Sequence, residues 1–253
     1  MSDIDQSRAP LLDHLLELRR RLLWCVAAVA IAFGICLYFA RPIFAFLVQP
    51  LLRAGQGRLI YTNIFEAFFV EIKVAFFAAI MVAFPIIAMQ VWQFVAPGLY
   101  RNEKRAFLPF LFLTPLLFLI GASLAYFVAV PLALHFLLGY QGNIGGVQQT
   151  ALPGVGNYLD FVTKFIFGFG VAFLLPVLLM LMERAGIVTR AQLKAGRRYA
   201  IVAAFAIAAV LTPPDVVSQL TLAVPLVLLY EIALIAIWFT ERRRQRVPAA
   251  ERP

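Results

Sequence analysis

The hydrophobic and polar positions of the chain form six apolar runs separated by shorter polar segments. A helix needs about 20 predominantly apolar residues to cross the hydrocarbon core of a bilayer. The pattern therefore predicts an all-α integral membrane protein with six transmembrane helices, the fifth and sixth of them short, at about 22–40, 67–95, 106–138, 158–182, 200–211 and 220–238. Prolines inside these runs kink helices in lipid, so we expect a curved bundle.

The segments outside the predicted spans differ in character. The leucine-rich segment 11–21 is expected to be an interfacial helix on the cytoplasmic side, and 42–57 a short amphipathic helix on the outer face. The uncharged, Gly- and Gln-rich segment 139–156 is expected to be an external loop or cap, and 241–253 a basic tail. We therefore expect a single membrane domain over residues 1–253.

Composition and charge exclude a soluble protein and set the orientation. Hydrophobic residues make up 63% of the chain, against roughly 45–50% in ordinary soluble domains. Seventeen of the 22 lysines and arginines fall in segments predicted to be cytoplasmic, three outside and two within spans. This asymmetry predicts a multi-pass protein of the plasma (inner) membrane with both termini in the cytoplasm. It also accounts for the net charge of +9 without a nucleic-acid partner.

Few residues of the sequence suit catalysis or metal binding. Cys25 and Cys36 would lie about 16 Å apart on one helix, too far for a disulfide, and with His14 and His135 they form no metal-ligand set. Ser123 and His135 would be about 18 Å apart on one helix, too far for a nucleophile and its base. The sequence contains no phosphate-binding loop. We therefore predict that the protein is not an enzyme and uses no cofactor.

The N-terminal segment carries a periodic apolar stripe and two acids. The stripe recurs at three- and four-residue steps and consists of Leu11, Leu15, Leu18 and Leu22. Asp13 and Glu17 are four residues apart, so they share one helix face. On spacing alone, the segment is typical of an interfacial helix whose acids pair with Arg20 and Arg21.

Three motifs in fixed order carry a family resemblance. The first begins at His14 and reads H-L-L-E-L-R-R-R-L, and the second begins at Gln90 and reads Q-V-W-Q-F-V-A-P-G-L-Y-R-N-E-K-R. The third begins at Leu211 and reads L-T-P-P-D-V-V-S-Q. From about residue 11 to about residue 240, the chain resembles TatC, the multispanning core of the twin-arginine protein translocase.

This resemblance implies a receptor and translocase component. Proteins of this family recognise the paired arginines of signal peptides on folded precursor proteins, and they work with single-span TatA- and TatB-like partners, driven by the proton-motive force. If the binding residues of the family are carried over to the matching positions of this chain, the signal-peptide site comprises Glu17, Glu103, Phe94, Arg19 and Arg105. Two carboxylates from separate segments suit this role because each accepts an arginine fork through two bonds.

Other matching positions have less defined roles, and one position departs from the family. The matching positions are Pro50, Tyr126, Thr212, Asp215, Gln219 and Glu231. Leu174 stands where family members often carry a glutamate or glutamine in the fourth span. An account in which that acid contacts substrate or partner therefore fails for this chain.

The short fifth span predicts a docking edge. Residues 200–211 extend only about 18 Å, against a hydrocarbon core of about 30 Å, and Pro213 and Pro214 prevent a longer helix. We expect a TatB- or TatA-like span to dock on this hairpin, with contacts at Val210, Thr212 and Gln219, and we expect self-association in the bilayer. The alternative is that the hairpin is merely short and the lipid adapts.

A second function class also follows from the residues. Charges within spans are functional candidates by default, and they would suit a secondary transporter of a small ion or solute. These charges are Glu71, Lys73, Lys164 and Glu231. Such transporters carry broken helices in repeated halves, and the sequence shows no such repeat.

Overall fold

The computed structural model describes residues 3–99, 108–212 and 215–246 and is almost entirely helical. Its ten α-helices in these ranges are α1 (Asp3–Tyr38), α2 (Ala40–Arg53), α3 (Glu66–Leu99), α4 (Leu108–Leu124), α5 (Val130–Leu138), α6 (Val155–Ala172), α7 (Leu175–Arg184), α8 (Arg190–Ala195), α9 (Arg197–Leu211) and α10 (Val216–Arg246). A π-helical turn at Ala125–Ala129 joins α4 to α5, and β1 (Gly142–Ile144) pairs antiparallel with β2 (Val147–Gln149).

Within these ranges, five helical segments are long and apolar enough to cross a membrane. They are Leu15–Tyr38, Glu66–Phe94, Phe110–Leu138, Val155–Arg184 and Val216–Arg242. The predicted fifth span is α9, which has 15 residues and extends only about 22 Å. The prediction of a short sixth helix is wrong, since α10 has 31 residues. This helix continues past the apolar run because the glutamate, glutamine and arginines that follow are good helix formers.

The flanking segments fold only partly as predicted. The segment 11–21 is not a separate helix, because α1 continues through it to Tyr38 and no glycine or proline interrupts residues 11–33. The expected short helix after the first span is present as α2. The expected loop 139–156 contains the β1–β2 ribbon, whose turn places Gly145 and Gly146 at φ of 62° and 89°. Two successive positive φ values match a type I′ hairpin turn, which glycines adopt without strain.

The described residues form two compact units, the first from the described parts of Met1–Phe46 and Asn63–Pro115. Its core is the packing of α1 against α3. Small buried side chains repeat every four positions on both sides, which allows the helix backbones to approach closely. These side chains are Ala32, Cys36 and Ala40 on one side and Ala75, Ala79 and Ala83 on the other.

The second unit comprises Leu47–Thr62 and the described parts of Leu116–Pro253. In this unit, α10 packs against α9 and α7. The side chains that α10 buries are mainly aliphatic and include Leu222, Ala223, Leu226, Ala233 and Ile237. Both α2 and the segment that follows it are bonded to the start of α6. The Tyr158 hydroxyl donates to the Leu47 carbonyl in α2 at 2.8 Å, and the Val155 amide donates to the Ile60 carbonyl at 3.0 Å.

Helices α4 and α6 approach each other through reciprocal glycine and phenylalanine contacts. A Cβ atom on Gly170 would lie 2.6 Å from the Phe118 ring. A Cβ atom on Gly121 would lie 2.6 Å from the Phe169 carbonyl oxygen and 2.8 Å from the Phe173 ring. Each glycine is therefore required by the side chain or backbone of the facing helix.

Candidate functional site

A cavity lies between the N-terminal part of α1 and the C-terminal part of α3, within the first unit. Its volume is about 310 Å³, and we call it the Glu17 cavity; it is lined by Glu17, Arg20, Arg21, Trp24, Gln90 and Gln93. The four α1 residues are spaced i, i+3, i+4 and i+7, so they share one helix face. Gln90 and Gln93 are three apart on α3 and share a face for the same reason.

Glu17 and Arg21 form an ion pair at this cavity, as their spacing predicted. The Arg21 Nε donates to Glu17 Oε1 at 3.1 Å, and Arg21 Nη2 donates to the same oxygen. Arg21 Nη1 donates to Gln93 Oε1 at 2.9 Å. The side chains of Glu17 and Arg21 are 36% and 19% exposed. A half-exposed carboxylate beside a polar cavity is suited to binding a cationic side chain.

The other predicted signal-site residues are only partly located. Arg19 is exposed on α1, and Phe94 is half-buried near the end of α3. Glu103 and Arg105 lie outside the described residues. The structure therefore brings Glu17 close to the second motif through Gln93, which the sequence analysis had not singled out. Gln90 and Gln93 are three residues apart beside Trp92, and this spacing could have indicated that both amides lie on one helix face.

Trp92 has a packing role next to this cavity. Its indole Nε1 donates to Thr114 Oγ1 at 2.8 Å, and the Thr114 hydroxyl donates to the Phe110 carbonyl at 2.7 Å. Trp92 and Thr114 are 7% and 6% exposed, respectively. This buried chain of bonds fixes the C-terminal part of α3 against α4 and so positions Gln93.

Pro50 and Tyr126 lie in the second unit. Both side chains are buried, Pro50 in α2 and Tyr126 in the π-helical turn. Neither is part of the lining found for the Glu17 cavity among the described residues. Their matching positions are thus core positions in this chain.

The polar residues of the third motif form a second cluster, at the junction of α9 and α10. The Thr212 hydroxyl donates to the Ala208 carbonyl at 2.8 Å, and Asp215 Oδ1 accepts from the Ser218 amide at 2.7 Å, so Asp215 caps α10. We call Thr212, Asp215 and Ser218 the hairpin cap. Asp215 Oδ2 and Ser218 Oγ are buried and have no hydrogen-bond partner among the described residues.

Two side chains bond α9 to α10 along their length. The Gln219 Nε2 donates to the Phe205 carbonyl at 3.3 Å. Arg197 Nη2 lies 2.8 Å from Glu231 Oε2, and these side chains are 47% and 39% exposed. Glu231 therefore has an arginine partner within the hairpin, whereas Val210 is 85% exposed on α9.

Comparison with known proteins identifies the family. The sequence model of the Sec-independent protein translocase protein (TatC) matches residues 13–225. The chain belongs to the TatC family. It is 47% identical to the TatC protein of Magnetococcus marinus over 98% of this chain and 91% of that protein. It is 41% identical to the TatC protein of Aquifex aeolicus over 95% of this chain and all of that protein.

Solved TatC structures share the fold. Two crystal structures of the twin arginine translocase receptor TatC superpose with TM-scores of 0.77 and 0.79, at 41% and 42% identity. They cover 89% and 88% of this chain and 98% of each solved chain. The protein is therefore an α-helical, multi-pass membrane component of a protein translocase, as the resemblance implied.

The position that departs from the TatC pattern lies where the fourth span is interrupted. Leu174 stands between α6 and α7, and α7 begins at Leu175 with Pro176 in its first turn. The Leu174 side chain is partly buried. This TatC chain thus has an apolar side chain at the interruption of the fourth span.

Proposed function

We propose that this chain is the receptor subunit of a twin-arginine protein translocase, which binds the paired-arginine signal peptide of folded precursor proteins for export driven by the proton-motive force. The observation that carries the proposal is the half-exposed Glu17 carboxylate at a polar cavity in a TatC-family chain. Glu103, on the segment after α3, supplies the second carboxylate of the site. Phe94, Arg19 and Arg105 complete it.

The chemistry of the cavity suits reversible recognition. A single exposed ion pair contributes at most about 1 kcal/mol. Two preorganised carboxylates, together with burial of the apolar stretch of the signal peptide, add up to a useful affinity that still permits release. Arginine is favoured over lysine because only its planar fork makes two parallel bonds to one carboxylate.

The transporter alternative loses support because both of its candidate carboxylates, Glu71 and Glu231, form ion pairs with arginines. Glu71 Oε1 lies 3.3 Å from Arg41 Nε, and Glu231 lies 2.8 Å from Arg197. Carboxylates that are already paired with arginines do not form an ion pathway by themselves. We therefore retain the receptor as the single proposed function.

The test measures binding of a fluorescent twin-arginine signal peptide to the purified protein in nanodiscs. Glu17→Gln should weaken binding by about three- to fivefold, because it removes the acceptor charge. Glu241→Gln is the matched control: Glu241 also pairs with an arginine, Arg190 at 3.4 Å, and is 34% exposed. Equal loss in both variants, or full binding by Glu17→Gln, would contradict the proposal. Glu103→Lys should abolish binding, and a lysine-lysine peptide should bind more weakly than the arginine-arginine peptide.

The proposed location is the inner membrane with both termini in the cytoplasm. Support comes from the excess of lysine and arginine in the N-terminal segment, the segments after α3 and α7, and the C-terminal tail. Reporter fusions after Gly145 and Asp215 should report the outside. Fusions after Asn102, Gln192 and Arg246 should report the inside, and the reverse result after Gly145 would exclude this topology.

The proposed partners are TatA- and TatB-like single-span proteins that dock on α9. This helix buries only Ala204 and Ala208 among its own residues, so most of its apolar surface is available. Val210 is the leading contact. Thr212 and Gln219 lie beside it, although their side chains already bond to Ala208 and Phe205.

Cysteine crosslinking tests this docking in a background of Cys25→Ala and Cys36→Ala. A cysteine at Val210 should crosslink to one in the partner span, and Thr212 should give a lower yield because it is buried. The matched control is Phe112, an exposed apolar residue of α4. Equal yields at Val210 and Phe112 would refute docking on α9.

A further inference from the structure

Arg21 already occupies the acceptor that the proposed function assigns to an arginine of the signal peptide. Its guanidinium directs Nε and Nη2 to one oxygen of Glu17 and Nη1 to the amide oxygen of Gln93. All three guanidinium nitrogens are therefore bonded. A ligand arginine would use the same donors on the same carboxylate, so the two guanidinium groups compete.

The neighbouring arginines do not share this arrangement. Arg20 lines the same cavity, but it is exposed and forms no ion pair with a described residue. Arg19 is also exposed. Arg21 alone among these three is largely buried, and it links α1 to α3. Charge alone therefore does not explain its placement.

We propose that Arg21 is an internal competitor, which holds Glu17 in the free receptor and must release it when a signal-peptide arginine binds. This inference rests on the proposed function, and it names Arg21 as a residue that sets affinity. A bidentate arginine needs both carboxylate oxygens, yet Oε1 of Glu17 already accepts two bonds from Arg21.

Gln93 makes the release of Arg21 feasible. Its amide oxygen already accepts Arg21 Nη1, so the guanidinium keeps one partner after it leaves Glu17. Gln90 provides a second amide on the same face of α3, and the cavity provides volume for the displaced group. Exchange therefore leaves no buried charge without a hydrogen-bond acceptor, which keeps the cost of displacement low.

Peptide binding to two charge-matched variants tests the competitor role. Arg21→Gln and Arg20→Gln each remove one positive charge from the same cavity, so general repulsion of the cationic peptide falls equally. Arg21→Gln should bind the twin-arginine peptide about three- to tenfold more tightly than the unmodified protein, equivalent to about 0.7–1.4 kcal/mol. Arg20→Gln should change binding by less than about twofold, measured at the same salt concentration.

The outcomes separate this inference from the proposed function. If the unmodified protein does not bind the peptide, the proposed function fails. If it binds and Arg21→Gln is no tighter than Arg20→Gln, the competitor role fails and the receptor role stands. Weaker binding by Arg21→Gln would instead show that Arg21 positions Glu17 for the ligand.

A second variant keeps the inference testable if Arg21→Gln does not give folded protein. Arg21→Lys keeps the charge but loses the fork, so it cannot hold Glu17 and Gln93 together as Arg21 does. It should bind the peptide with an affinity between those of the unmodified protein and a receptor free of the competitor. Binding weaker than that of the unmodified protein would overturn the inference.

Discussion

At the Glu17 cavity the polar side chains bond to one another and stay partly exposed. At the hairpin cap, Thr212 and Asp215 bond to backbone groups of the helix ends, and Thr212 and Ser218 are buried. Glu17 is held by Arg21, whose position another guanidinium can take. Thr212 and Asp215 are held by a carbonyl and an amide of the helix ends themselves. A ligand guanidinium can replace Arg21 at Glu17, whereas the Ser218 amide at the start of α10 would lose its acceptor if Asp215 turned away.

This difference shows that motifs of one family can have two roles, ligand binding and helix capping. The first motif supplies groups that are available for binding, while the hairpin cap supplies groups that end α9 and begin α10. Asp215 shows this most clearly, because its Oδ1 accepts the Ser218 amide in the first turn of α10. We therefore expect variants at the two clusters to have separable effects, on ligand affinity at the Glu17 cavity and on stability at the hairpin cap.

The largest stability effect is expected beside the cavity, at Trp92. Trp92→Phe removes the donor to Thr114 and leaves a small void, which should lower stability by about 1–2 kcal/mol. Trp24→Phe is the control, since Trp24 is 59% exposed at the cavity and should change stability by less than about 0.5 kcal/mol. Thermal unfolding in detergent measures both. Similar melting temperatures for the two variants would show that the difference in burial between Trp92 and Trp24 does not determine their contributions to stability.

A smaller loss is expected at Asp215. Asp215→Ala removes the cap of α10 and should lower stability by about 1 kcal/mol, without changing the affinity for the signal peptide. Thr189→Ala removes the cap of α8, where Thr189 and Gln192 are exposed, and should cost less. Loss of peptide binding by Asp215→Ala at unchanged stability would make the hairpin cap a binding site and break the comparison.

The smallest effect, and one of opposite sign, is expected at Ser218. Its hydroxyl is buried and has no hydrogen-bond partner among the described residues, so Ser218→Ala should raise stability by up to about 1 kcal/mol. Thr212→Val is the matched control: it removes a hydroxyl that does have a partner, and it should not stabilise the protein. A lower melting temperature for Ser218→Ala would indicate that the hydroxyl has a bonding role in the folded protein.

The spans could be predicted from the sequence because the bilayer imposes one requirement, a long apolar run. That criterion places the end of a span at the first cluster of charges, but the helical backbone continues past these charges. Helix α10 therefore continues to Arg246, and α1 begins well before its apolar run. The β1–β2 ribbon was missed although Gly145 and Gly146 signal a tight turn, because its strands have only three residues each.

The candidate site was predictable only where its contacts are local. Glu17 and Arg21 are four residues apart on one helix, and their pairing follows from that spacing. Gln93 lies 72 residues from Arg21, and no periodicity links the two. Trp92 stands near the end of a predicted span, and its burial could not be predicted because its bonding partner, Thr114, lies on the next helix.

The interlocked glycines and phenylalanines of α4 and α6 restrict how the second unit can move. Phe118 sits against Gly170, and Phe169 and Phe173 sit against Gly121, so a small axial slide of one helix would drive a ring into backbone. We therefore expect these two helices to move together at this contact rather than to slide gradually past each other.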